Sequence, residues 1–146
     1  MESFARHGGN GGLQVTGLAV GVILALAAGV LGTIVGLDRD RAFYPTVMIV
    51  IGALYSLFAA MGASGRVLVL EALAGTVFVA SAVVGFKSSL WIVAAALAAH
   101  GVFDLFHGKV IADPGVPVWW PQFCLAYDVT AAGYLAWLLW SGRLKA

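Results

Sequence analysis

Charge is what this sequence has least of. Only 10% of its 146 residues are Asp, Glu, Lys or Arg, against about 25% in soluble domains. So few charges cannot cover the surface of a water-soluble fold. The net charge is +1, which leaves no basic field for nucleic acid. The one cysteine, Cys124, excludes an internal disulfide and a cysteine-based zinc knuckle.

What is present is apolar. Hydrophobic residues make up 62% of the chain. They come in long blocks rather than at amphipathic spacing, which points to membrane helices. The sequence predicts an all-α, polytopic integral membrane protein, a bundle of five transmembrane helices with the lipid bilayer as its first partner. The blocks cover residues 13–36, 45–63, 67–86, 90–107 and 119–140. The first is about 24 residues, longer than the roughly 7–15 of a signal-peptide core. Residues 1–12 read as a mobile tail, 13–142 as one transmembrane domain and 143–146 as a short basic tail. Gly108 is placed to cap the fourth helix. Asp113-Pro114-Gly115 and Pro117 predict a rigid loop.

Basic residues in short loops set the expected orientation. Arg39, Arg41, Lys87, Arg143 and Lys145 fall on one side. Arg6, Arg66 and Lys109 fall on the other. The excess places the C-terminus in the cytoplasm and the N-terminus outside, in a plasma or bacterial inner membrane. Trp119 and Trp120 mark the outer interface, Trp91 and Trp140 the inner one.

Gly17, Gly21, Ala25, Ala28, Gly32 and Gly36 recur on one face of the first helix. Small residues let helix backbones approach closely in lipid. That face predicts packing within the bundle or, alternatively, a homodimer contact.

Polar residues gather between His100 and Asp128. His100, Asp104 and His107 stand at i, i+4 and i+7, so they share a face of the fourth helix. An aspartate at a helix centre costs about 2.5–3.5 kcal/mol on insertion, so this face should turn inward. Cys124 and Asp128 share a face of the fifth helix. Glu71 lies about one turn into the third. Helix rise puts His100 and Asp128 at nearly one depth, about 12–14 Å from the outer ends of their helices. Asp104, Cys124 and Glu71 fall about 6–8 Å in. Three helices thus bring ionisable groups to the outer half of the membrane.

Imidazole with carboxylate suits a divalent metal such as zinc or iron. The expected set is Asp104 with one histidine, completed by Glu71 or Asp128; Asp104 and His107, at i and i+3, are the first ligands, with Glu71. His100 and Asp128 are then the expected catalytic acid–base pair. His100 and His107 lie about 10.5 Å apart along the axis, too far to grip one ion together, and their place on one helix disfavours axial ligation of one haem, which needs histidines facing each other from different helices. Trp119, Trp120 and Cys124 are placed to form the lip of a pocket. Proton handling along Asp128, His100, Asp104 and His107 is the second chemistry the residues allow. A polar network that only fixes helix register is the third.

Histidine and aspartate near one membrane face are similar in kind to the transmembrane hydrolases of the alkaline ceramidase and adiponectin-receptor type. Those proteins have seven helices, a third histidine and a serine in the site. This chain has five apolar blocks and no serine near the cluster. The function classes that stay open are a metal-dependent or acid–base membrane enzyme, a non-catalytic subunit or assembly factor, and a proton-coupled carrier.

Overall fold

A computed structural model describes residues 3–146, with side chains from Gly11 onward. Among these residues the chain forms α1 (Ser3–Val35), α2 (Phe43–Gly62), α3 (Gly65–Lys87), α4 (Leu90–Val110) and α5 (Trp120–Trp140). Each is long and apolar enough to cross a membrane, α1 from Gly11 onward. The expected mobile segment, residues 1–12, lies mostly outside the residues whose side chains are described.

Short links force neighbouring helices antiparallel. Ser64 caps α3 by accepting from the Val67 amide, and Ser89 caps α4 by accepting from the Trp91 amide. Pro121 sits in the first turn of α5, where its missing N–H costs nothing. Gly36 ends α1 in the left-handed region, at φ 85°. The Leu37 amide then closes back on the Gly32 carbonyl. Gly108 does not end α4, which runs on to Val110. No left-handed residue is needed there, because Ile111 leaves the helix in extended conformation. The loop after α4 turns where Asp113 Oδ1 accepts from the Gly115 amide at 2.8 Å. Gly115 then lies directly against the Phe58 carbonyl of α2, where a Cβ would collide.

The bundle has two ends. The loop end holds the α2–α3 and α4–α5 links. The tail end holds the α1–α2 and α3–α4 links and the last residues. α4 and α5 are the least apolar spans and the most buried ones. α4 packs against α2, α3 and α5, so its polar face has helices on several sides. The glycine face of α1 packs on α5 of the same chain at Gly17 and Gly21, and on Phe43 of α2 at Gly32. A Cβ on Gly17 would sit 3.0 Å from the Trp119 carbonyl oxygen, and one on Gly21 would strike the Phe123 carbonyl. Gly29 continues the face against the Tyr134 ring, whereas Gly36 lies beyond the helix.

Toward the tail end the interior is apolar. Met48, Leu90, Val93, Leu97, Leu135 and Leu138 are wholly buried there. One acid interrupts it: Asp38 folds back and accepts from Thr33 Oγ1 at 2.8 Å. Thr33 in turn lies 3.1 Å from the Tyr134 hydroxyl.

Candidate functional site

Among the described residues, the other buried acids and the buried histidines lie toward the loop end. Glu71, His100, Asp104, His107 and Asp128 are each at most 2% exposed. They come from α3, α4 and α5, and the i, i+4, i+7 face of α4 is their common wall.

Two imidazole–carboxylate pairs result. In the deeper one, His100 Nδ1–H donates to Asp128 Oδ2 at 2.7 Å. The same nitrogen lies 3.5 Å from Asp104 Oδ2. Gly101 makes this approach possible, since a side chain there would press on Asp128 and the Leu125 carbonyl. In the shallower pair, His107 Nε2–H donates to Glu71 Oε1 at 2.7 Å. Glu71 therefore turns into the bundle and not toward headgroups beside Arg66.

Tyr55 of α2 joins the pairs. Its hydroxyl donates to Asp104 Oδ1 at 2.6 Å. Its ring stacks on His107, with centroids 3.9 Å apart and planes 19° off parallel. Phe78 meets His100 edge-on at 4.6 Å and fixes the tilt of that ring. A void of about 10 Å³ lies between Glu71, Tyr55 and His100, room for one water at most.

The backbone brings α2 and α3 close enough for this. Gly52 and Gly75 face each other, and a Cβ on Gly75 would collide with the Gly52 carbonyl oxygen. Gly52 precedes Tyr55 by one turn, and Gly75 follows Glu71 by one turn. The glycine contact thus sets the spacing of the two side chains that hold His107 and Asp104.

The first expected ligand grouping does not come together, whereas the one completed by Asp128 does. Asp104, His107 and Glu71 do not converge, because His107 takes Glu71 and Asp104 turns to Tyr55 and His100. The three that converge are His100, Asp104 and Asp128. Each offers one ligand atom, and these atoms all lie within 4.8 Å of one another. One oxygen of each aspartate, Asp104 Oδ2 and Asp128 Oδ1, is buried without a hydrogen-bond partner.

The expected lip also divides. Trp119 lies on the α1 side, in a groove with Leu13 and Gly17. Trp120 and Cys124 lie on the α2 side, and Cys124 is buried rather than at a rim. A separate cavity of about 210 Å³ at the loop end reaches Asp104 between α4 and α5, past Lys109 and Gln122.

Tyr55 is the site residue that sequence spacing does not reveal. Its signal is faint but physical: a tyrosine in mid-helix needs a partner for its hydroxyl once buried. Comparison with protein-family models, with curated proteins and with solved structures finds no match to this chain.

Proposed function

We propose that this protein is a small multi-pass membrane enzyme whose His100, Asp104 and Asp128 hold a divalent metal, zinc or iron, for acid–base chemistry. The observation that carries the proposal is the convergence of those three ligand atoms in a buried place with two unpaired carboxylate oxygens. Buried acceptors without donors are rare in folded proteins. A cation is the partner that would satisfy both aspartates at once.

The roles expected of the two pairs are then exchanged. A nitrogen that donates to Asp128 cannot also ligate, so an ion bound at Nδ1 displaces a proton. Tyr55 holds Asp104 in place through Oδ1 and leaves Oδ2 for the ion. His107, oriented by Glu71, becomes the base nearest the loop end. A bound ion of this class makes a coordinated water acidic and polarises a substrate oxygen. The cavity beside Asp104, Lys109 and Gln122 is the polar opening nearest the site, and the Asp104 carboxyl, wholly buried, would have to be uncovered for water or a small polar group to pass. The mainly apolar interior toward the tail end, broken by Asp38 with Thr33 and Tyr134, supports a site served from one side.

Metal analysis of protein purified from membranes tests the reading. We expect about one zinc or iron ion per chain, bound more weakly as pH falls because protons compete for the ligands. Asp128→Asn and Asp104→Asn should lose the ion, and Glu71→Gln should keep it. An unmodified chain that takes up neither metal on loading rejects the metal centre.

The same proposal puts the loop end outside and the tail end in the cytoplasm, in a plasma or bacterial inner membrane. Reporters fused after Ala146 and within residues 113–117 should then read opposite sides. Two cytoplasmic signals would remove a span between them.

A further inference from the structure

Another cavity lies on the lateral surface of the bundle, between α2 and α5. Both helices lean on α4. Between them runs a cleft of about 370 Å³. Its walls include Val50, Ile51, Leu54, Phe123, Cys124 and Tyr127. Phe43 bounds its tail end. At the loop end Phe58 meets Trp120 edge-on at 4.9 Å. From Phe43 to Leu54 the cleft follows α2 for about 16 Å. Val50, 53% exposed, sits at its open side, which in a spanning bundle faces hydrocarbon.

Size decides what fits. A helix with its side chains is about 10–12 Å across, so 16 Å of it would fill roughly 1,200–1,800 Å³. Even with all its empty space counted, about 800 Å³, the cleft is smaller than that. A helix of a second copy could lie only across its mouth, whereas a thin apolar chain can enter it. The volume falls in the range of about 300–1,000 Å³ typical of small-ligand sites.

Position gives the chain a purpose. Cys124 in the cleft wall stands one turn before Asp128 on the same face of α5. Trp120, Phe123, Cys124 and Tyr127 form one side of the first turns of α5. Pro121 and Gln122 form the other side and line the cavity that reaches Asp104. An amphiphile in the cleft would have its chain along α2 and its head at the end of the bundle where the polar cavity opens.

We propose that the α2–α5 cleft is a binding site for one acyl chain of a membrane lipid, and that such a lipid is the substrate class of the buried site. The second clause rests on the enzymatic reading above; chain binding does not.

A fatty acid carrying a diazirine at mid-chain is the probe. It is photolysed with the protein in phosphatidylcholine vesicles, and labelled peptides are mapped. Labels should concentrate on residues 43–54 and 120–127. Val50→Trp fills the cleft and should lower that labelling several-fold. Ile92→Trp, at an exposed position on α4, should leave it unchanged. If Val50→Trp does not fold, Thr46→Leu, at another wall residue of the cleft, crowds it more gently and carries the same expectation. Labels spread evenly over all exposed apolar residues would show ordinary boundary lipid and overturn the site. Cross-linked dimers through the cleft would overturn it in favour of a second copy. Metal is measured on the same preparations. Cleft labelling without metal keeps the chain site and rejects the metal centre, and metal without cleft labelling does the reverse.

Discussion

Alanine in place of Gly75 should drive α2 and α3 apart. The new methyl would strike the Gly52 carbonyl oxygen, a backbone atom that cannot swing aside. Overpacking of this kind costs about 1–3 kcal/mol and at times more. The damage should also reach the polar group. Glu71 and Tyr55 each lie about one turn from the contact, so separating the helices loosens the Glu71–His107 bond and also the Tyr55–Asp104 bond, which positions a proposed ligand. Thermal melting in detergent reads the first effect, and metal content the second. Gly133→Ala is the control, because a Cβ there meets nothing within 4 Å. Alanine is favoured over glycine in helices by roughly 0.5–1 kcal/mol, so that variant should melt at the same temperature or higher. A Gly75→Ala protein that melts like the parent would mean that the two backbones do not touch there.

Asp104→Leu should have two effects of opposite sign. Entry of α4 into the bilayer becomes easier by at most roughly 3–4 kcal/mol, the difference at a helix centre, since leucine replaces an acid within the span. The assembled bundle becomes weaker. The Tyr55 hydroxyl, on a residue only 3% exposed, loses its acceptor, and a stranded buried donor costs about 1–3 kcal/mol. An insertion assay on α4 and a detergent melt separate the two. Insertion should rise while the melting temperature falls. Asp104→Asn keeps an acceptor for Tyr55 and should melt closer to the parent. If Asp104→Leu raises both readings, the Tyr55–Asp104 bond adds nothing to the fold.

Spans were legible because hydrocarbon thickness imposes a length, and a run of apolar residues records it directly. The inward face of α4 was legible for a related reason. Lipid cannot solvate Asp104, so three polar residues at helical spacing have one direction to point. His100 with Asp128 followed from equal depth on neighbouring antiparallel helices. Partner choice nearer the loop end did not follow. Glu71 and Asp104 lie at similar depths, and only the lateral packing of α3 against α4 gives His107 to one and not the other. Tyr55 stayed hidden for the same reason: nothing in an apolar block says which of its aromatics carries a bonded hydroxyl. Gly108 misled because a glycine after polar residues resembles a helix stop, while α4 continues one short stretch to Val110.

The pairing of α1 with α5 has a consequence for biogenesis. α2 meets α3 and α4 meets α5, so those hairpins can close as soon as they leave the ribosome. α1 has its main partner at the far end of the chain. At roughly 5–20 residues per second, the ribosome needs about 5–20 s to go from the end of α1 to the end of α5. Through that interval Gly17 and Gly21 present bare backbone to the lipid or to whatever insertion factor shields them. Docking of α1 is then the closing step of assembly, and a nascent chain halted before Trp120 should expose its first helix to the membrane's quality-control proteases.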